Sequence, residues 1–263
     1  MGRCGANSSW GKQLMALYQN FALLYDDLMK DAPYDQWIDF TEHFIKGKHV
    51  GKIVDLGCGT GEITVRLAQK YRHVYGVDLS DAMLAIAEQK ALERNVPHIM
   101  WVKQDIRHLS GFEDVDLCIS YCDVINYIVE LKDIQSVFIN VHRSLNDGGL
   151  FIFDVHSLNY VESSLVNRTF AYKDDEIVYI WNCEEGDVEG EMFHDMTFFY
   201  KKDDGPKYER FDELHHQRTY DVETYANLLR KAKFSKIAFY SDFSVEKPFS
   251  ETDSERIFIV AQK

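Results

Sequence analysis

The stretch IVDLGCGTGEI (53–63) ends an apolar run with Asp55 and then sets Gly57, Gly59 and Gly61 on alternate positions. Glycines after a strand let a ligand lie against bare backbone beside a helix N-terminus. Two more acids close the next two apolar runs: Asp78 ends HVYGVD and Asp105 ends IMWVKQD. Carboxylates at three successive strand ends accept hydrogen bonds from ammonium, hydroxyl and amino groups. They share one rim of a sheet, where open α/β sheets bind ligands.

The spacing discriminates among ligands. A nicotinamide fingerprint needs G-x-G-x-x-G. Here the third glycine comes one residue early, and Glu62 stands where it would be needed, a place where a carboxylate would repel a pyrophosphate. The G-x4-G-K-[ST] pattern of a P-loop is absent. S-adenosylmethionine (SAM) carries no phosphate, and it presents an amino acid end, two ribose hydroxyls, an adenine amino group and a sulfonium. Asp55 suits the amino acid end. Asp78, about 20 residues past the first glycine, suits the ribose. Asp105 suits the adenine amino group.

These residues need a scaffold of alternating elements. KIVDLG reads as strand, 61–70 as helix, HVYGVD as strand, and 81–94 as helix behind the cap Ser80. IMWVKQD and VDLCIS read as strands, DIQSVFINVHRSL as helix stopped by Asp147-Gly148-Gly149, and LFIFDVH as strand. Short β-branched strands between helices indicate a Rossmann-like, doubly wound α/β sheet covered on both faces. From 157 to 219 the rhythm changes to strands without helices (EIVYIWNCE, MFHDMTFFYKK, KYERFDELHHQR), an inserted antiparallel β subdomain. A helix returns at DVETYANLLRKA, and SKIAFYSDF and ERIFIVAQK form an antiparallel C-terminal hairpin edge. The expected organisation is a leader over 1–15 resembling an expression tag, a helical lid over 16–50, a cofactor-binding α/β domain over 51–156 and 220–263, and the insertion between its parts.

The formal charge of −14, from 29 basic and 43 acidic residues among 263, disfavours general binding to phosphate backbones. No run of about 18 apolar residues suggests a membrane span, and no signal peptide order is present, so a cytoplasmic location is expected. Five cysteines suggest no disulfide framework. Adjacent His215-His216, without a third nearby His or Cys, make poor metal ligands, so no metal is expected.

The motif VDLGCGTG, with GVDLS, QDI and the terminal hairpin, resembles the class I SAM-dependent methyltransferases. More narrowly, FALLYDDLMKDAPYDQWIDF and HHQRTYDVETYANLLRKAKF resemble small bacterial methyltransferases of the YqeM type. The resemblance implies that Gly57 and Gly59 line the methionine part of SAM, and that Asp78 and Leu79 hold the ribose. It implies that Asp105 and Ile106 flank the adenine, that Tyr121 sits at the pocket, and that an N-terminal aromatic helix brings Tyr25 and Trp37 over the cofactor. S-adenosylhomocysteine would be the product.

Methyl transfer is an in-line displacement at an already activated carbon, so proximity and orientation do most of the work. The sequence names no catalytic residue. Asp123, Asn126, His156 and His216 are candidates on the acceptor side. The run SYCDVINYI lacks the prolines of amino-methylating DNA enzymes, which disfavours a flipped base. A small-molecule N- or O-methyltransferase is the first reading. The second is an RNA- or protein-modifying enzyme using Lys201, Lys202, Lys207, Arg210 and Arg218, and the third a non-catalytic SAM-binding regulator.

Overall fold

The computed structural model describes residues 25–201 and 207–263. The proposed leader, Tyr18, Phe21 and Leu24 of the first aromatic stripe, and Lys202 lie outside the described residues. Strands β1 (Lys52–Leu56), β2 (His73–Asp78), β3 (Met100–Lys103), β4 (Val115–Ser120) and β5 (Leu145–His156) are mutually parallel where they pair. A second group, β6 (Arg168–Lys173), β7 (Ile177–Glu185), β8 (Glu191–Lys201) and β9 (Tyr208–Arg218), forms a separate antiparallel sheet in chain order. Strands β10 (Lys236–Ser241) and β11 (Arg256–Gln262) return to the first sheet, whose order is β10-β11-β5-β4-β1-β2-β3. Strand β11 runs antiparallel to both neighbours.

Alternation along these strands feeds two cores. Val54, Phe151, Phe153, Ile257 and Ile259 point to one face, and Ile53, Ile152, Phe258 and Val260 to the other. The first face is covered by α4 (Leu131–Ser144) and α5 (Val222–Lys231), through Ile134, Val137, Phe138 and Val141 of α4 and Tyr225 and Leu229 of α5. The second is covered by α1 (Tyr34–Ile45), α2 (Glu62–Ala68) and α3 (Asp81–Glu93). Each fully buried large apolar side chain here stabilises by about 1.5–3 kcal/mol. Ser80 caps α3 by accepting from the Met83 N–H, and Asp221 caps α5 by accepting from the Thr224 N–H.

Three local readings change, the first being that the insertion opens on a short helical stretch, Leu158–Tyr160 running into Val161–Leu165, before its strands begin. Helix α4 ends at Ser144 and β5 begins at once at Leu145, so Asp147-Gly148-Gly149 does not stop the helix. These residues form an irregularity within β5, where the pairing steps from Val115↔Leu145 to Leu117↔Leu150. The insertion also holds a fourth strand, β6, which lacks an apolar alternation: only Phe170 among its residues is half-buried. No described helix is long and apolar enough to cross a membrane.

Candidate cofactor and acceptor site

Strand β1 ends in the glycine turn. Gly57 adopts φ +72°, and a Cβ there would lie 2.5 Å from Val124 Cγ1, so the turn is packed against the loop after β4. Gly59, at φ +53°, differs: a Cβ would meet nothing within 4 Å. Its N–H donates to Asp78 Oδ2 at 2.8 Å. The backbone is thus bare and open at Gly59, which is what close approach of a ligand requires.

Asp55 and Asp78 flank this turn. Asp55 is buried and accepts from Thr64 Oγ1 at 2.5 Å, and burial above all pushes its carboxyl up to about 7 despite that hydrogen bond. Asp78 accepts backbone N–H groups from Gly59 and Ser80, each at 2.8 Å; burial raises its carboxyl nonetheless. Leu79 projects from the rim, 63% exposed. Glu62, expected to repel a pyrophosphate, is ion-paired with Arg66, Lys90 and Arg94, so its charge is countered.

The other cofactor candidates are placed differently. Asp105 caps a short 3-10 turn and holds Arg107 with both oxygens, and these hydrogen bonds keep its carboxyl below the usual range. Ile106 and Tyr121 are buried in the two cores, the Tyr121 hydroxyl paired with Thr41 Oγ1 at 2.7 Å. Trp37 is buried in α1, and its indole N–H donates to Asp154 Oδ2 at 2.6 Å. Tyr25 packs with Leu28 and Met83 against Ile177, Phe198 and Phe211 of the second sheet. Its neighbour Asp26 accepts from Thr60 Oγ1 at 2.6 Å and pairs with Lys90, which seats this segment beside the glycine turn.

Beyond β4 and β5 lies a buried polar cluster. The Asp123 N–H donates to Asp154 Oδ1, while the Asp123 carboxylate accepts from Arg256 Nη2 at 3.0 Å and from Gln217 Nε2 at 2.8 Å. Burial works against the charged form of Asp123, and the neighbouring His156, Arg256 and Gln217 overcome it, holding the group below the ordinary carboxylate range. His156 Nε2 stands 3.6 Å from Asp123, and burial chiefly pushes its imidazole down to about 4. Asn126 is fully buried; its side chain donates to the Arg218 carbonyl and accepts from the His156 N–H. Asp123, Asn126 and His156 are therefore brought together.

His216 is not. On β9 it alternates with residues facing the α/β sheet, stacks on Phe193 and pairs with Glu191 at 2.8 Å. Its neighbours Glu213, His215 and Gln217 take the inner face, with His215 Nδ1 2.7 Å from the Tyr127 hydroxyl. Period-two alternation in KYERFDELHHQR separates the two histidines, but only the tertiary contact tells which faces inward. Arg256, Asp154 and Gln217 carried no sequence signal as site residues. A separate cavity of about 880 Å³ lies at the opposite rim, lined by Glu113, Asp114 and Asp147 among others, away from the glycine turn.

The open backbone at Gly59, flanked by the acids Asp55 and Asp78, fits a cofactor with an amino acid end and ribose hydroxyls. Comparison with known proteins agrees. Residues 53–149 match a family model described as a methyltransferase domain. A protein of Geobacillus sp. (strain WCH70) is 43% identical over 94% of this chain and 99% of its own length. YqeM of Bacillus subtilis (strain 168) is 42% identical over 94% of this chain and 97% of its own length. Both are named as methyltransferases.

The chain belongs to the class I SAM-dependent methyltransferases, in the YqeM group.

A SAM-dependent methyltransferase from Clostridium acetobutylicum ATCC 824 has the same fold, with a TM-score of 0.83 and 32% identity, over 93% of this chain and 98% of that one. For this methyltransferase, SAM is the cofactor. Its sulfonium supplies the activated methyl group.

Proposed function

We propose that this methyltransferase moves the SAM methyl group to an N or O atom of a small-molecule acceptor. The observation behind this reading is the wall formed by the second sheet and the segment around Tyr25. Gln217 contacts Asp123 after β4, His215 contacts Tyr127, and Phe198 and Phe211 meet Tyr25 and Met83 beside α3. These contacts lay the second sheet over the rim on both sides of the glycine turn, at the loop after β4 and at the start of α3. A wall in that position favours a small acceptor, held and oriented for in-line attack.

In this reading Asp55, Gly57, Gly59, Asp78 and Leu79 hold SAM. The segment with Tyr25 and Asp26 closes over it, and Asp123, Asn126 and His156 shape the acceptor side. Of the basic residues considered for a macromolecular partner, Lys201 and Arg210 lie near one end of the β8–β9 ladder and Arg218 at the other. Lys201 pairs with Tyr208 at one end of the β8–β9 ladder, and Arg218 pairs with Glu191 at the other. Over the ten residue steps from Tyr208 to Arg218 that is about 33 Å. Arg210 is taken up by Asp212, and Arg218 donates to the Glu189 carbonyl. The test is methyl transfer from tritiated SAM into a bacterial extract divided by size. Label in the small-molecule fraction supports the reading; label confined to RNA or protein overturns it.

A further inference from the structure

The inner face of β9 carries a carboxylate that the polar cluster does not use. Glu213 is 8% exposed, and its Oε1 has no hydrogen-bond partner. Leaving a carboxylate oxygen buried and unsatisfied is costly, so such a group points to a partner supplied from outside. Its other oxygen, Oε2, stands 3.7 Å from His215 Nε2, and His215 Nδ1 meets the Tyr127 hydroxyl.

Register places Glu213 over the reaction centre. Alternate residues of β9 share one face, so Gln217, His215 and Glu213 follow one another at about 6.8 Å per pair. Gln217 touches Asp123 and His215 touches Tyr127, both beyond β4; two residues past Glu213, Phe211 joins the cluster with Tyr25 and Met83 at the start of α3. Glu213 therefore lies between the β4 loop and α3. The glycine turn of β1 occupies the same interval of the rim, since β1 sits between β4 and β2. Tyr127 also lies close enough to both Glu213 and Asp123 to feel their charge.

We propose that Glu213 is the acceptor-binding carboxylate and that it holds an amine beside the transferable methyl group. This rests on the methyl-transfer reading above and narrows it to nitrogen. The cofactor brings a sulfonium charge, and an ammonium acceptor adds a second; a buried carboxylate beside them offsets one of the two. The ammonium gives one proton to the Glu213–His215 pair and becomes a neutral amine. The nitrogen lone pair forms the new N–C bond, the C–S bond breaks with its electrons going to sulfur, and S-adenosylhomocysteine leaves neutral. The product is the methylated ammonium, and the proton on the Glu213–His215 pair passes to solvent.

Sinefungin tests this without knowledge of the acceptor. In this SAM analogue a carbon bearing an amine replaces the methylated sulfonium, so its ammonium stands where the methyl group would be. Calorimetry on the full chain should show sinefungin binding about tenfold or more tighter than S-adenosylhomocysteine, the gain from one charge-assisted hydrogen bond. In Glu213→Gln that preference should collapse while S-adenosylhomocysteine affinity stays within about twofold, as expected for a residue off the cofactor's own contacts. No preference in the wild-type protein overturns the proposal without any variant, and so does a preference that Glu213→Gln leaves intact. Failure of S-adenosylhomocysteine to bind the wild-type protein would instead remove the methyl-transfer reading itself.

Discussion

Two buried groups titrate in opposite senses, and removing one should expose the other. His156 is pushed down to about 4 from an ordinary 6.5, chiefly by burial. A histidine with a lowered folded value binds its proton more weakly when folded. Its contribution to stability is full above the unfolded value and is lost as pH falls from about 6.5 toward 4. Between pH 7 and 4.5 that loss is about 2 kcal/mol. Asp55 is raised to about 7 from an ordinary 3.8, again chiefly by burial. It binds its proton more tightly when folded, so over the same interval it adds about 3 kcal/mol as pH falls. From these two groups the cofactor-free protein should show a nearly flat stability profile. The variant His156→Gln keeps a polar side chain without the titration, so from pH 7 to 4.5 its stability should gain about 2 kcal/mol on that of the wild type. Urea unfolding at half-unit pH steps, with the slope against urea held common, reads both curves. The difference between wild type and variant reads His156 together with Asp123, whose charge it faces at 3.6 Å. Parallel profiles would refute the reasoning, showing that His156 takes up its proton as readily in the fold as out of it.

If Asp78 holds the ribose as proposed, Asp78→Ala should weaken SAM binding roughly tenfold to a hundredfold by calorimetry, through the lost charge-assisted acceptor and the freed Gly59 N–H. Unchanged affinity in the folded variant would assign the ribose to another residue. Arg256→Met should lower unfolding stability by about 3–5 kcal/mol, because Asp123 and the fully buried Asp154 then face each other without their shared cation. A loss below about 1 kcal/mol in urea unfolding would mean that the two acids find other compensation.

The glycine turn and the sheet around it were legible because their causes are local. Gly57 and Gly59 take positive φ, Ser80 caps the helix that follows it, and short β-branched runs between helices read as buried strands. A motif of this kind states its geometry within a dozen residues. The strand β6 was not legible, because RTFAYK is too exposed to show alternation and is held by pairing with β7. The acceptor side depended on contacts between distant parts of the chain. Strand β11 runs against β5, so Arg256, its first residue, arrives opposite His156 at the rim that the parallel strands reach with their last residues. Nothing near ERIFIVAQK signals that role, since the neighbours that give Arg256 its meaning are 133 and 102 residues away, at Asp123 and Asp154. Likewise the pair His215-His216 has two equivalent readings until β9 is laid over the β4 loop. A strand must offer its alternate side chains to opposite faces, and only the packing of the second sheet turned Glu213, His215 and Gln217 inward and His216 out.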